Sequence, residues 1–436
     1  MLIAILAGQR GVRAFVGAGM LLALTVFSIV FLAAEFRHPN GIGCGLQFGG
    51  DYLLFHASGR MILAGRGHQL YDLENLKDVQ QELFGQPLSN CLGTDTPVAY
   101  LPVFLVPYTV FSLLSPLAGF LTANVVSVAI FALTFWRLAR FSEQPVWVLW
   151  LFSLGSFPIL LGMNYGQVHG LLMLALTEFQ IALGQRRDTR AGIWLALLLV
   201  KYQFLPVFFL FLVWQRLWRA LGAFLLASFV LFVGSVSMIG WEGFRRYVGY
   251  LASVARVNAD EIGAWLMVSW RAFALNWLPI ESNLGMAVAT VLLSLLTIGV
   301  TLASWAWGRG DLTARDRLPL TLFGLGSTAL LVGYDTSIDS TVLVFAPAMA
   351  LAASYSNKAA SVPPLGAWVL DLVMVIPSLV FMAQVLASRN AVLGWFVASQ
   401  VMITGLVVAV AWAAAASTGW AREGRHAGAL VAPDSV

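Results

Sequence analysis

Apolar runs about as long as a bilayer is thick dominate this chain. A transmembrane helix needs about 20 mainly apolar residues. The runs lie near residues 14–34, 98–114, 117–136, 145–163, 167–184, 191–214, 220–239, 284–307, 319–333, 340–356, 364–386 and 392–416. Charged residues make up 11% of the 436, against about 25% in an average soluble domain. The sequence predicts one all-α polytopic membrane domain over 1–436 with about 12 transmembrane helices, and it excludes an ordinary soluble enzyme.

Basic residues predict the orientation of these helices. Cytoplasmic loops of membrane proteins are enriched in Lys and Arg, and such residues flank the runs at 10–13, 216–219, 309–317, 358 and 422–425. We therefore expect a protein of the plasma (inner) membrane with both termini cytoplasmic and 14–34 retained as a signal anchor. Residues 35–97 and 240–283 become two extracytoplasmic loops. Because the basic residues follow this pattern, the net charge of +4 does not indicate a nucleic-acid partner.

The topology of residues 98–190 stays open. Arg137, Arg140 and the basic residues at 186–190 are cytoplasmic only if one run within 98–136 re-enters the membrane. The run 191–214 is also interrupted, by Lys201 and Pro206, and could form two half-helices. A lysine at bilayer depth costs roughly 2.5–3.5 kcal/mol. Lys201 therefore faces a cavity or an anion, snorkels to the interface, or joins an internal ion pair.

The loop 35–97 is the longest polar segment and the first place to look for chemistry. Its patterning predicts surface helices over 51–64 and 72–84. Asp51 follows Gly49-Gly50 and opens the first helix. As an N-cap its carboxylate would accept backbone hydrogen bonds, and as a general base it would meet a lipid-borne substrate at the membrane surface.

The cysteines and histidines of this loop support different conclusions. Cys44 and Cys91, the two cysteines of the chain, both lie in the loop, and an extracytoplasmic compartment is oxidising. This favours a disulfide between them, the alternative being two unpaired buried thiols. The histidines show no metal-ligand spacing. A divalent metal is therefore possible but unsupported, and no cofactor is firmly implied.

Several motifs together resemble glycosyltransferase family 87. The segment GGDYLLFHASGRMILAGRGHQLYD (49–72) resembles its first loop, which has an Asp opening a helix, then a Gly and an LYD-like tripeptide. YLPVFLVP (100–107) is similar to the family's aromatic-proline stretch, although a double proline is missing. NYGQVHG (164–170) resembles a GQ-x-N motif with His169 in place of Asn. AGIWLALLLVKYQFLP (191–206) resembles an element containing Lys201. VGYDTSIDSTVLVFAP (332–347) resembles a late loop containing Asp339, without the histidine often found there.

This resemblance implies a GT-C-type membrane glycosyltransferase with its active site outside the cytoplasm. The implied donor is a polyprenyl-phosphate sugar, with mannose the family expectation, and the acceptor is a lipid or glycan in contact with membrane lipids. Asp51 is the implied general base. Candidate cations for the donor phosphate are Lys201, Arg256 and Arg271, although Arg271 lies among tryptophans typical of an interfacial belt. Candidate substrate contacts are Tyr71, Gln167, His169 and Asp339. The resemblance also allows Asp339 to position Lys201, and a loop or capping role for Asp339 is the alternative.

A transporter or lipid flippase is the alternative class. Such proteins also have about 12 helices with breaks near the midplane, but they commonly show internal repeats and ionisable residues inside the helices. This sequence shows no clear repeat of one half in the other, and most carboxylates lie outside the apolar runs. These features favour an enzyme with a loop-borne site.

Overall fold

The computed structural model describes residues 49–84, 98–142, 156–254, 264–279, 282–307, 317–334, 336–357, 364–388 and 391–430. Its α-helices are α1 (Gly50–Leu63), α2 (Leu73–Phe84), α3 (Val106–Phe111), α4 (Pro116–Ser142), α5 (Phe157–Tyr165), α6 (His169–Gly184), α7 (Asp188–Ala196), α8 (Leu205–Trp214), α9 (Trp218–Val254), α10 (Trp270–Trp277), α11 (Asn283–Trp307), α12 (Arg317–Val332), α13 (Phe345–Asn357), α14 (Pro364–Met374), α15 (Ile376–Ser388) and α16 (Ala391–Leu430). Short 3₁₀ helices cover Gly67–Gln69, Pro102–Leu105, Leu197–Phe204, Ala264–Leu266 and Ile338–Val344. The described part of the chain contains no β-strand apart from an isolated bridge between Met267 and Ser337.

Several of these helices can cross a membrane. Within the described residues, stretches long and apolar enough to do so are 116–142, 188–214, 218–252, 283–306 and 396–417, although 188–214 is interrupted at Lys201. The predicted helices at 51–64 and 72–84 are confirmed as α1 and α2, while their position at the membrane surface stays a prediction. The predicted run 14–34, and most of 145–163, lie outside the described residues. The all-helical, polytopic prediction is confirmed for the part that the structure describes.

Helix α6 is the central helix of the bundle. Each residue from Leu172 to Leu183 is buried, as expected for a helix surrounded by other helices. Near its end Glu178 accepts hydrogen bonds from Arg137 of α4 (Nη2 to Oε2, 3.0 Å) and Arg190 of α7 (2.5 Å). We call this the arginine end of the bundle, and the end where α6 begins at His169 the site end.

The predicted transmembrane run 98–114 is wrong as a crossing. It forms the 3₁₀ helix Pro102–Leu105 and then α3, a ten-residue stretch that ends at Phe111. Such a stretch rises about 15 Å, half of a hydrocarbon core of about 30 Å. α3 packs on α1, and Arg60 of α1 contacts the Ser112 carbonyl. Arg137 and Arg190 both contact Glu178 and so lie at one end of the bundle. A run within 98–136 that does not cross fits the re-entrant alternative for these arginines.

The run 191–214 is broken, as predicted, and the chain reverses direction there. Lys201 has non-helical backbone angles (φ −128°, ψ 71°). Phe204 packs against Gly333, which follows the last turn of α12, whereas Phe211 stacks edge-on with Trp305 at the last turn of α11 (5.2 Å). The start of α12 lies beside Gly184 at the arginine end. α7 therefore runs toward the site end and α8 runs back.

Close packing of α7 on α9 fixes this reversal and gives a testable prediction. A Cβ on Gly192 would lie 2.0 Å from the Ala220 carbonyl oxygen, whereas one on Gly222 would meet nothing within 4 Å. We expect Gly192→Ala to lower the free energy of unfolding by about 1–3 kcal/mol and the matched Gly222→Ala to leave it unchanged or raise it by about 0.5–1 kcal/mol. Thermal unfolding of the purified variants in detergent checks this. Equal midpoints for the two variants would contradict it.

Helix α9 bends where the second predicted loop was to begin. Gly240 has a left-handed φ of 71°, and the helix continues to Val254 along the site end. Gly240 interrupts the helix where the predicted loop 240–283 begins, and the placement of that loop outside the cytoplasm stays a prediction. A Cβ on Gly67 would lie 2.8 Å from the Met238 carbonyl, so the glycine lets the LYD segment approach the bend. We call residues 241–254 the rim helix.

Candidate active site

The start of α1 is fixed to the end of α5 by glycines. Gly49, at the N-cap position, has a left-handed φ of 69°, and its N–H donates to the Asn164 carbonyl (2.7 Å). Gly166 also has a left-handed φ (71°), and a Cβ there would lie 2.6 Å from the Tyr52 Cβ. Asp51 therefore lies in the first turn of α1 and is not its N-cap. The N-cap interpretation of Asp51 is wrong, because Gly49 holds that position.

The half-buried Asp51 carboxylate is held by a side chain from the GQ segment. Gln167 Nε2 donates a hydrogen bond to Asp51 Oδ2. The Gln167 Oε1 atom accepts in turn from the Tyr100 hydroxyl. Tyr100, Gln167 and Asp51 thus form a continuous hydrogen-bonded chain at the site end, which we call the Asp51 chain.

A second polar group lies deeper between α6, the Lys201 break and the 3₁₀ helix Ile338–Val344. His169 Nε2 contacts Asp339 Oδ2 at 2.8 Å, and Lys201 Nζ donates to Ser340 Oγ at 2.8 Å and lies 4.0 Å from Asp339 Oδ2. Lys201 is 6% exposed, and His169 and Asp339 are 1% exposed. We call these four residues the buried charge cluster; the geometry matches the ion-pair alternative for Lys201.

The segment 164–169 connects the two groups. It carries Gln167, which contacts Asp51, and His169, which contacts Asp339. Tyr165 interacts electrostatically with both Asp51 and Asp339. A Cβ on Gly162 would lie 2.2 Å from His169 Nδ1, so this glycine makes room for the imidazole. The loop between α5 and α6 therefore fixes both polar groups relative to each other.

The remaining predicted site residues make other contacts or lie outside the described part. The Tyr71 hydroxyl donates to the Tyr100 carbonyl (3.2 Å), and its ring packs on Tyr247 of the rim helix (5.0 Å). The Arg271 guanidinium lies over the Tyr334 ring (4.1 Å). Arg256, Cys44 and Cys91 lie outside the described residues. The substrate and phosphate roles and the disulfide stay predictions.

The pKa values of ionisable groups on and near α1 are shifted by burial and by neighbouring side chains. Burial and, to a smaller extent, the charge of nearby Arg60 lower the pKa of His56 to about 4, so its imidazole is neutral at pH 7. Burial alone would raise the pKa of Asp72, but hydrogen bonds from Asn75 and the charge of Arg246 (3.2 Å) lower it.

Among the residues the structure describes, no group of three or more His, Cys, Asp or Glu side chains could hold a metal ion.

Sequence reasoning missed Tyr100, Ser340 and Tyr165. Tyr100 stands in the apolar proline segment 100–107, where an aromatic ring is typical of packing and its hydroxyl is the only polar side-chain group. Ser340 follows Asp339 directly, and its N–H donates to Asp339 Oδ1 (3.0 Å) while its hydroxyl accepts from Lys201. For Tyr100 the available signal was a hydroxyl in an otherwise apolar segment, and for Ser340 and Tyr165 it was their position beside candidate site residues.

Together, the apolar helices and the loop-borne carboxylate at the site end define a helical integral membrane protein with a polar site at one end of its bundle. The sequence model of glycosyltransferase family 87 matches residues 99–333, more than half of the chain, and the protein belongs to this family. It is therefore a membrane glycosyltransferase, which favours the enzyme over the transporter alternative. No curated protein and no solved structure matches the chain.

Proposed function

We propose that this protein transfers a sugar, mannose by family expectation, from a polyprenyl-phosphate donor to a hydroxyl of a lipid or glycan acceptor on the extracytoplasmic side. The observation that carries the proposal is the half-buried Asp51 carboxylate, oriented by Gln167 at the site end. The arginine end carries Arg137, Arg186, Arg187 and Arg190, as expected of a cytoplasmic face. The site end is then extracytoplasmic, where lipid-linked sugars would serve as donors.

In the proposed reaction Asp51 accepts the proton of the acceptor hydroxyl. The hydroxyl oxygen forms a bond to the anomeric carbon, while the bond from that carbon to the phosphate oxygen breaks. The polyprenyl phosphate leaves with the bonding electron pair, so charge develops on the phosphate. Cations placed near it stabilise the transition state, and we assign this contact to Arg271 and Arg256.

Lys201 is a weaker candidate for that contact than the sequence suggested. Its ammonium already donates to Ser340 and lies 4.0 Å from Asp339. A phosphate at Lys201 would have to enter a cluster in which the lysine is 6% exposed. We therefore propose that the buried charge cluster fixes the α5–α6 loop, and through Gln167 the position of Asp51. The substrate roles of Tyr71, His169 and Asp339 become indirect in this proposal.

A transfer assay tests the proposed function. Membranes from cells that make the protein are incubated with radiolabelled polyprenyl-phosphate mannose, polyprenyl-phosphate glucose or a nucleotide sugar, and the lipid and glycan fractions are separated. We expect label to enter a new glycosidic product from polyprenyl-phosphate mannose and not from the nucleotide sugar. Membranes with the Asp51→Asn variant are the control. Incorporation from the nucleotide sugar alone, or equal incorporation with the variant, would contradict the proposal.

A further inference from the structure

We propose that Tyr100 is a positioning residue for Asp51 and acts through Gln167. The inference rests on the proposed role of Asp51 as general base. Tyr100 is buried, its hydroxyl donates to Gln167 Oε1, and Gln167 Nε2 donates to Asp51 Oδ2. The tyrosine itself touches neither substrate nor reacting atom in this arrangement.

The hydroxyl of Tyr100 anchors the Gln167 amide in the orientation that the Asp51 carboxylate requires. A glutamine side chain presents a carbonyl oxygen on one side and an NH₂ group on the other. Turned around, it would place its carbonyl oxygen against the Asp51 carboxylate, and two acceptors would face each other. The Asp51 carboxylate can only accept, so the NH₂ group faces it, and the Tyr100 hydroxyl anchors the amide in that position by donating to its carbonyl oxygen. The carboxylate is then fixed in one rotamer.

Tyr100 is itself held from three sides. Its ring stacks on Phe55 of α1 (5.2 Å between centroids, 29° between planes). Its carbonyl accepts from the Tyr71 hydroxyl (3.2 Å), and the neighbouring Ala99 carbonyl accepts from the Tyr247 hydroxyl of the rim helix (3.3 Å). The LYD segment and the rim helix therefore fix the backbone at 99–100. This gives the LYD segment a role in the site without substrate contact.

Removal of this hydroxyl should affect the chemical step more than substrate binding. A general base must lie within hydrogen-bond reach of the proton it takes, and small displacements of a positioned group cost large factors in rate. We expect Tyr100→Phe to lower kcat about tenfold with the KM for donor and acceptor nearly unchanged. The control Thr404→Val removes an exposed hydroxyl that donates to the Gln400 carbonyl within α16 and should keep wild-type kcat.

A double-variant cycle separates positioning from a general packing role. Kinetics of Tyr100→Phe, Gln167→Ala and the double variant are measured with polyprenyl-phosphate mannose and membrane lipid acceptors. If Tyr100 acts through Gln167, its substitution costs little once Gln167 is alanine, because coupled residues are not additive. Independent, multiplying losses, or a wild-type kcat for Tyr100→Phe, would overturn the inference.

A second readout does not depend on transfer activity. Carbodiimide labelling of Asp51 in the purified full-length protein is followed by mass spectrometry. We expect labelling to quicken by about threefold or more in Tyr100→Phe and Gln167→Ala but not in Thr404→Val. Absence of transfer by the wild-type protein together with this labelling pattern would contradict the proposed function and support the positioning role. Unchanged labelling in both variants would overturn the positioning role, whether or not the protein transfers sugar.

Discussion

Asp51→Asn is expected to abolish sugar transfer, with a loss of at least about 100-fold, while the fold stays intact. The asparagine oxygen can still accept the hydrogen bond from Gln167, so the shape of the site is kept. The neutral amide cannot take a proton from the acceptor hydroxyl, however, and so the base is lost. The measurement is the initial rate of transfer from radiolabelled polyprenyl-phosphate mannose, at equal amounts of purified wild-type and variant protein.

The same variant distinguishes a base from a helix-stabilising residue. Asp51 lies in the first turn of α1, where a negative charge stabilises a helix by about 0.3–1 kcal/mol. A loss of that size slightly lowers the thermal midpoint but does not stop turnover. Asp78→Asn makes the same chemical change at an exposed position of α2 and should keep full activity. If Asp51→Asn keeps more than about a tenth of the wild-type rate, general-base catalysis by Asp51 is wrong.

The helices were predictable because their signal is local. Runs of about 20 apolar residues predict crossing helices, and the helices at 117–136, 220–239 and 284–307 follow from them. Run length failed at 98–114, where apolar residues form a half-length helix that packs on α1. The difference lies in tertiary contacts, such as the Tyr108 hydroxyl donating to the Gly166 carbonyl (3.2 Å). Hydropathy carries no information about such contacts.

The members of the site were partly predictable, but of their pairings only that of Asp339 with Lys201 was proposed from the sequence. The motifs pointed to Asp51, Gln167, His169, Lys201 and Asp339 as separate candidates for contact with substrate. The structure pairs Gln167 with Asp51 across 116 positions of sequence, and Lys201 with Ser340 across 139. A single sequence gives residue types and spacing along the chain, whereas these pairs depend on where the chain reverses at Lys201 and at Gly166.

The buried charge cluster gives the second large expected effect. Lys201→Met removes the ammonium and leaves Asp339, 1% exposed, without its cation. Loss of one partner of a buried ion pair typically costs about 3–5 kcal/mol, because the other charge stays buried and uncompensated. We therefore expect a clearly lower midpoint of thermal unfolding in detergent. The matched Lys77→Met on α2, at the surface, should leave the midpoint unchanged.

The double variant Lys201→Met/Asp339→Asn decides between the two roles of the lysine. If Lys201 mainly compensates the negative charge of Asp339, the double variant buries no uncompensated charge. It should then regain most of the stability that Lys201→Met alone loses. Asp339→Asn still accepts from Ser340, so the loop geometry is largely kept. If Lys201 mainly binds the donor phosphate, Lys201→Met keeps the wild-type midpoint, its turnover falls, and Asp339→Asn restores nothing. A stable but inactive Lys201→Met protein would thus support a phosphate contact for Lys201. It would contradict the proposal that the buried charge cluster positions Asp51.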